Sequence, residues 1–106
     1  MPKIVVIYPY PTDVEEFEKV YVDEHIPMAE EKIKGMSKFT MTRVIGAADG
    51  GKPPFYRIAE LYFPSMEALQ EAASTEDAQA TVAHAVSIST GGQPYFLVAE
   101  DETSVI

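Results

Sequence analysis

The sequence contains no cysteine and no tryptophan in its 106 residues. The lack of cysteine excludes disulfides, thiolate metal sites and a cysteine nucleophile, and it is typical of a reducing compartment. Long apolar runs are also missing, because the run at 4–8 near the N-terminus has only five residues. Such a run is too short for a signal peptide or a membrane span. We therefore expect a cytoplasmic protein with no membrane partner.

Positive charge is scarce as well. Eight Lys and Arg residues stand against 17 Asp and Glu residues, which gives a formal net charge of −9. Phosphate groups repel a chain this acidic, so nucleic acid and anionic membrane surfaces are disfavoured as partners. Neutral or cationic small molecules fit this charge better.

Hydrophobic periodicity divides the chain into strands and helices. The run at 4–8 is apolar throughout and is followed by prolines, which predicts a strand in the centre of a sheet. Further strands are predicted at 39–45, 55–63 and 95–99, and helices at 13–34, 66–73 and 76–86. The order βαββαβ is typical of a ferredoxin-like α+β sandwich. We expect a single domain at 1–102 and a short C-terminal tail at 103–106.

Local signals predict the ends and faces of these elements. Thr12 is predicted as the N-cap of the first helix and Ser65 as the N-cap of the second. The second helix is expected to turn Met66, Leu69 and Ala73 inward. Alternation along the strand at 55–63 predicts that Tyr56, Ile58, Glu60 and Tyr62 share one face.

The apolar pattern also predicts assembly. The helices of this fold cover one face of a four-stranded sheet, yet the first and fourth strands are apolar at nearly every position. The second face therefore needs cover, and another sheet is the obvious partner. We expect a C₂ homodimer in which two sheets face each other and close an α+β barrel.

The candidate site is the stretch that contains Tyr21, His25 and Pro27. Positions 21 and 25 share a helix face, and Pro27 is expected to kink or end the helix because it lacks an N–H. His25 would then lie near a helix C-terminus beside Asp23 and Glu24. Negative charge and the helix dipole there predict that the pKa of His25 is raised.

Other chemistries have weaker support. The two histidines are about sixty positions apart, and no metal-binding motif or phosphate-binding loop is present, so we expect neither a metal nor a cofactor. His84 is interpreted as a surface or satisfied residue. Glu60, inside a strand, is interpreted as a cavity group or as half of an ion pair with Arg43 or Arg57.

Three stretches in this order resemble the EthD family, which is named for a protein linked to ethyl tert-butyl ether breakdown. They are Tyr21-x-x-x-His25-x-Pro27, the run 56–63 with Ser65 and Glu67-Ala68 after it, and Gly91-Gly92 before the run 96–100. The resemblance implies a homodimer of ferredoxin-like protomers. The wider group of dimeric α+β barrels includes cofactor-independent monooxygenases, isomerases, cyclases, dehydratases and haem proteins, among which the fold does not select.

Two functional hypotheses remain open. The first is a cofactor-independent enzyme that moves a proton on a compact, apolar organic compound, as an isomerase, dehydratase, cyclase or monooxygenase would. His25 and Tyr21 are its candidate catalytic residues, and the candidate substrate-binding residues are Tyr8, Tyr56, Glu60 and Tyr62. The second is a non-catalytic ligand-binding or accessory protein of a degradation or monooxygenase system. A structural dimer with a vestigial site is a third interpretation.

Overall fold

The computed structural model describes all residues, 1–106, in the order βαββαβ. The strands are β1 (Pro2–Pro9), β2 (Lys38–Arg43), β3 (Phe55–Tyr62) and β4 (Tyr95–Glu100). The first helical region is continuous and consists of α1 (Val14–Val20), a π-helical turn (Tyr21–His25) and α2 (Ile26–Lys32). The second region consists of α3 (Met66–Ala73) and α4 (Glu76–Ile88).

The strands form one antiparallel sheet in the order β2-β3-β1-β4. β1 lies in the interior of the sheet, as its apolar run predicts, and β2 pairs with β3 as expected. Val6 in β1 pairs with Ala59 in β3 and with Phe96 in β4, so these three side chains share a face. The predicted ferredoxin-like α+β fold is confirmed.

The helices pack on one face of the sheet and enclose the core there. The largest fully buried side chains are Tyr8, Tyr21 and Phe63, none of them more than 1% exposed. Tyr8 contacts Phe17 and Tyr21 edge to face, with ring centroids 5.4 Å apart in both pairs. Burial of a large apolar side chain stabilises a fold by about 1.5–3 kcal/mol. This aromatic cluster therefore holds the first helical region on β1.

A β-bulge corrects the predicted faces of β3. Tyr8 pairs with Arg57 and Pro9 pairs with Phe55, which leaves Tyr56 as the extra residue. A bulge breaks the alternation of side chains along a strand. Tyr56 therefore turns towards the helices, where its ring lies 5.9 Å from that of Phe17, and it does not share a face with Ile58, Glu60 and Tyr62.

The helix caps agree with the sequence prediction in one case and differ in the other. Ser65 caps α3, since its hydroxyl accepts the N–H of Ala68 at 3.1 Å. The cap of α1 is Asp13, whose carboxylate accepts the N–H of Glu16, and the prediction of Thr12 was wrong by one residue. Asp13 is itself among the preferred N-cap residues.

The inward face of α3 also differs from the prediction. Leu69 is buried as expected, and Ala72 is buried with it, whereas Met66 is 44% exposed and Ala73 is exposed. Leu69 and Ala72 are three residues apart and so share a face of the helix. Met66 stands at the first position of the helix, where its side chain reaches into solvent.

The second face of the sheet has no helix over it. Tyr95 and Leu97 of β4 are 52% and 49% exposed there, and they pair with the half-buried Ile7 and Val5 of β1. We call this side of the sheet the open face. No helix in the chain has the length and apolar composition needed to cross a membrane.

Candidate functional site

The first helical region runs through the candidate site without a break. The N–H of Ile26 donates to the carbonyl of Tyr21, five residues back, which defines the π-helical turn. A π-helical turn shifts the hydrogen bonds by one residue, and it often marks a functional site. Pro27 follows in the first turn of α2, where a missing N–H is tolerated. The helix therefore does not end at Pro27, as one of the two predicted outcomes required, but its α-helical hydrogen bonding is interrupted in the turn before the proline.

Tyr21 and His25 share a buried face, as their spacing predicts. Their rings are stacked with centroids 5.8 Å apart and an interplanar angle of 20°. Tyr21 is 1% exposed and His25 is 7% exposed, whereas Asp23 and Glu24 between them point into solvent. The π-helical turn thus aims one tyrosine and one histidine into the protein.

Both ring nitrogens of His25 have hydrogen-bond partners. Nε2 lies 3.2 Å from the hydroxyl of Tyr8 in β1, and Nδ1 lies 2.9 Å from Nδ1 of His84 in α4. The two imidazoles are nearly parallel, with centroids 5.1 Å apart. His84 is half-buried, so the chain of contacts from Tyr8 to His84 runs from the core to the surface.

The charge state of His25 is the reverse of the expectation. Burial, and secondly the neighbouring His84, lower the pKa of His25 to about 4. The predicted increase depended on a helix end and on two adjacent carboxylates. The helix does not end there, and both carboxylates are exposed to water. His25 is therefore an uncharged imidazole at neutral pH.

A cavity of about 90 Å³ lies between the sheet and the helices. Hydrophobic side chains make up 15 of its 17 lining residues, and no Asp, Glu, Lys or Arg is among them. Four of the lining residues have a polar group in the side chain, namely Tyr8, Tyr21, His25 and Thr81. Its volume exceeds that of a single water molecule several times over.

The hydroxyl of Tyr21 is buried and has no hydrogen-bond partner in the protein. Burial raises the pKa of Tyr21 to about 12, against the opposing charge of Arg57, which lies 5.0 Å from the ring centroid. An unpaired buried hydroxyl costs about 1–3 kcal/mol. This hydroxyl is therefore an uncharged donor that no group of the protein uses.

Tyr8 lies in the cavity wall as well, whereas Tyr56 does not. The Tyr56 hydroxyl donates to Glu18 at 2.7 Å, and Arg57 binds the same carboxylate through two nitrogens, each at 2.9 Å. Arg57, and secondly Tyr56, hydrogen-bond to this carboxylate and hold the pKa of Glu18 below its usual value. The hydroxyl of Tyr56 thus hydrogen-bonds to the Glu18–Arg57 ion pair and does not face the cavity.

Glu60 and Tyr62 lie on the open face, away from His25. Glu60 forms an ion pair with Lys3, and Lys3 also binds Asp101 at 2.6 Å. We call Lys3, Glu60, Tyr62 and Asp101 the Lys3 cluster. The interpretation of Glu60 as half of an ion pair agrees with the structure, but its partner is Lys3, because Arg57 points to the other face of the sheet.

The sequence interpretation missed how close His84 lies to His25. The structure brings the two histidines together but leaves Glu60 on the opposite face, and no group of three or more metal-ligating side chains is present. A signal was available in α4, where Ala78, Thr81 and Ala85 form the buried stripe. His84 borders that stripe at helical spacing.

Comparison with known proteins gives one family match and several similar structures. The EthD domain model matches residues 9–86. The chain is similar to an EthD family protein from Bacillus halodurans C-125, with 28% identity, a TM-score of 0.86, and coverage of 96% of this chain and 99% of that one.

Two further structures share the fold at lower identity. A hydroxynitrile lyase from Passiflora edulis is 12% identical with a TM-score of 0.72, and 98% of this chain and 96% of that chain are covered. A dimeric protein of unknown function with a ferredoxin-like fold, from Bacteroides fragilis NCTC 9343, is 16% identical with a TM-score of 0.65. It is matched over 94% of this chain and 95% of its own.

Proposed function

The chain belongs to the EthD family, as its motifs suggested, and we propose that it is a cofactor-independent enzyme of small-molecule metabolism that transfers a proton on its substrate. The observation that carries the proposal is the wall of the cavity. An uncharged His25 is hydrogen-bonded there to Tyr8, beside a Tyr21 hydroxyl that has no partner. A positioned acid–base group of this kind accelerates proton transfer by about 10²–10⁴-fold.

The cavity limits the class of substrate. A charged molecule would lose its hydration without gaining a counter-ion, because no ionic side chain lines the wall. A volume of about 90 Å³ is well below that of common drug-sized pockets, which measure about 300–1,000 Å³. The substrate we propose is therefore a compact, apolar, uncharged compound with one oxygen atom for Tyr21 to bind.

The residues favour proton transfer at a carbon next to a carbonyl. Tyr21 donates a hydrogen bond to the carbonyl oxygen, which stabilises the enolate-like charge that develops there. His25 takes part in moving the proton. Isomerisation, dehydration and cyclisation all contain such a step, and so do the first stages of some oxygenations. The hydroxynitrile lyase is an enzyme of similar fold. At 12% identity it shares only the fold with this chain, so it does not indicate the reaction.

The proposal is tested by hydrogen–deuterium exchange on compact carbonyl compounds. We expect the protein in D₂O to accelerate exchange at the α-carbon of at least one small ketone, aldehyde or lactone, measured by NMR of the compound. His25→Ala should abolish the acceleration with the fold intact by circular dichroism. Glu24→Gln, on the same turn but exposed to solvent, is the matched control. Full activity in His25→Ala would contradict the proposal.

A second candidate is a non-catalytic ligand carrier or accessory protein. It is favoured by the lining of the cavity, which is apolar at all but a few atoms. A carrier should bind compact apolar compounds in calorimetry, should retain much of that binding in His25→Ala, and should accelerate no exchange by itself. The α-carbon exchange experiment therefore separates the two candidates, because only the enzyme accelerates exchange.

We further propose that two copies pair through the open face. Tyr95 and Leu97 are exposed there at about half of their area, and a similar structure is described as dimeric. Leu97→Asp should convert the dimer to a monomer in light scattering. Val22→Asp is the matched control, since Val22 is 45% exposed on the helical side. A wild-type monomer at micromolar concentration would contradict this pairing.

A further inference from the structure

His25 has no free ring nitrogen for a substrate. Nε2 is bonded to Tyr8 and Nδ1 to His84, so a molecule in the cavity reaches His25 only by displacing one of them. Tyr8 also lines the cavity, and its hydroxyl oxygen has a further lone pair beyond its bond to His25. His84 is outside the cavity wall and half-buried.

We propose that Tyr8, His25 and His84 form a proton relay between the cavity and solvent, in which Tyr8 exchanges the proton with the substrate and His84 exchanges it with water. The relay rests on the proposed function for its first step, because a substrate must release or take up that proton. It gives Tyr8 a catalytic role and gives His84 the role of a relay residue. Neither role follows from the spacing of Tyr21 and His25.

The protons balance along the relay. Before transfer, the Tyr8 hydroxyl donates to Nε2 of His25, Nδ1–H of His25 donates to Nδ1 of His84, and His84 carries its own proton on Nε2. As the Tyr8 oxygen takes a proton from the substrate, its own proton passes to His25 Nε2. The Nδ1 proton of His25 passes to His84 Nδ1, and the Nε2 proton of His84 passes to water. The reverse sequence returns a proton to the product.

The burial of these groups favours a concerted transfer. Burial, and secondly the nearby Tyr21, raise the pKa of Tyr8, so a separate phenolate is unfavourable. Burial and His84 lower the pKa of His25 to about 4, so a separate imidazolium is unfavourable as well. The titratable groups facing His25 are Tyr8 from β1, His84 from α4 and Tyr21 from its own helix. A concerted relay forms neither ion, because the positive charge appears on the water beside His84 and the negative charge stays on the substrate oxygen that Tyr21 binds.

The relay is tested first without any substrate, by the solvent exchange rate of the His25 ring N–H in protein labelled with ¹⁵N-histidine. His84→Asn keeps an amide near the position of Nδ1 but cannot pass a proton on. We expect it to slow the exchange by about tenfold or more. Val86→Asn places the same side chain at an exposed position of α4 and should leave the rate unchanged. An unchanged rate in His84→Asn overturns the relay.

Two further measurements separate the relay from the proposed function. Tyr8→Phe should retain the His25 exchange rate, because the path to water is intact, but should lose α-carbon exchange on the carbonyl compounds. If exchange of the ring N–H slows in His84→Asn while no carbonyl compound is turned over, the relay stands and the proposed function fails. If His84→Asn does not fold, the wild-type ¹⁵N shifts decide, since an imidazolium at His25 at pH 7 overturns the relay.

Discussion

The cavity and the Lys3 cluster lie on opposite faces of the same sheet. The polar groups of the cavity are uncharged, whereas those of the Lys3 cluster form ion pairs. In the cavity wall, Tyr8, Tyr21 and His25 are buried and uncharged. In the Lys3 cluster of a single chain, the side chain of Asp101 is 47% exposed, so water reaches its ion pair with Lys3. Asp101 and Glu60 raise the pKa of Lys3, which favours the charged form. Burial therefore decides which polar groups of this protein remain neutral.

The largest expected difference between the two regions is in activity. Tyr8→Phe and Tyr62→Phe each remove one hydroxyl, the first from the cavity and the second from the Lys3 cluster. We expect Tyr8→Phe to reduce α-carbon exchange by about 10²–10⁴-fold and Tyr62→Phe to leave it within a factor of about two, since Tyr62 is remote from His25. Equal losses in the two variants would show that the reaction does not take place in the cavity.

The next difference is in stability. Leu61, 4% exposed, faces the helices, and Leu61→Ala should lower the free energy of unfolding by about 2–5 kcal/mol. Ile58 on the open face is only half-buried, so Ile58→Ala should have a smaller effect. That effect should grow with protein concentration if a second copy covers the open face. Urea unfolding at two protein concentrations measures both changes, and a larger loss in Ile58→Ala would contradict the assignment of the core.

The two regions should also lose stability in different pH ranges. The pKa of His25 falls from about 6.5 in the unfolded chain to about 4 in the folded protein. The unfolded state therefore binds more protons between these values, and stability falls as the pH falls from 6.5 towards 4, by roughly 3 kcal/mol. Asp101 has a lowered pKa, held chiefly by Lys3, so its contribution is lost only at still lower pH.

His25→Gln should remove the loss of stability between pH 6.5 and about 5, above the range in which Glu18 takes up protons, and leave a loss at lower pH in place. The measurement is urea unfolding at a series of pH values for the variant and the wild type. A wild-type stability that is constant from pH 6.5 to 4 would show that His25 is not a buried neutral group.

The smallest expected effect is that of Lys3→Met. It removes both ion pairs of the Lys3 cluster. The pair with Asp101, whose side chain is 47% exposed, contributes little and is screened by salt. We expect the change in the free energy of unfolding to be smaller than that of Leu61→Ala and to shrink as NaCl is added. A large change that is independent of salt would mean that the cluster is shielded from water.

Much of the fold was predictable from local sequence patterns. The apolar run of β1 identified the interior strand, and Ser65 identified the start of α3. The shared face of Tyr21 and His25 followed from helical spacing alone. These features depend on neighbours within a few positions, which is the range over which a sequence pattern is informative.

The charge state of His25 was not predictable in this way. Its pKa is set mainly by burial, which arises from packing against β1 and α4 and is absent from the local sequence. The π-helical turn was missed because proline usually ends a helix, whereas here the shifted hydrogen bonds of that turn place Pro27 in the first turn of α2. The partner His84 is 59 positions away in the chain, so only the folded topology brings it to His25.

The most direct measurement is the NMR titration of His25 between pH 7 and pH 3.5 in protein labelled with ¹⁵N-histidine. His84→Asn and Tyr8→Phe assign the signals, because each changes one neighbour of His25. We expect His25 to remain neutral at pH 6 and to titrate near pH 4, or only as the protein unfolds. A midpoint at or above about 6.5, the ordinary value for histidine, would contradict a buried neutral imidazole and the proton transfer proposed from it.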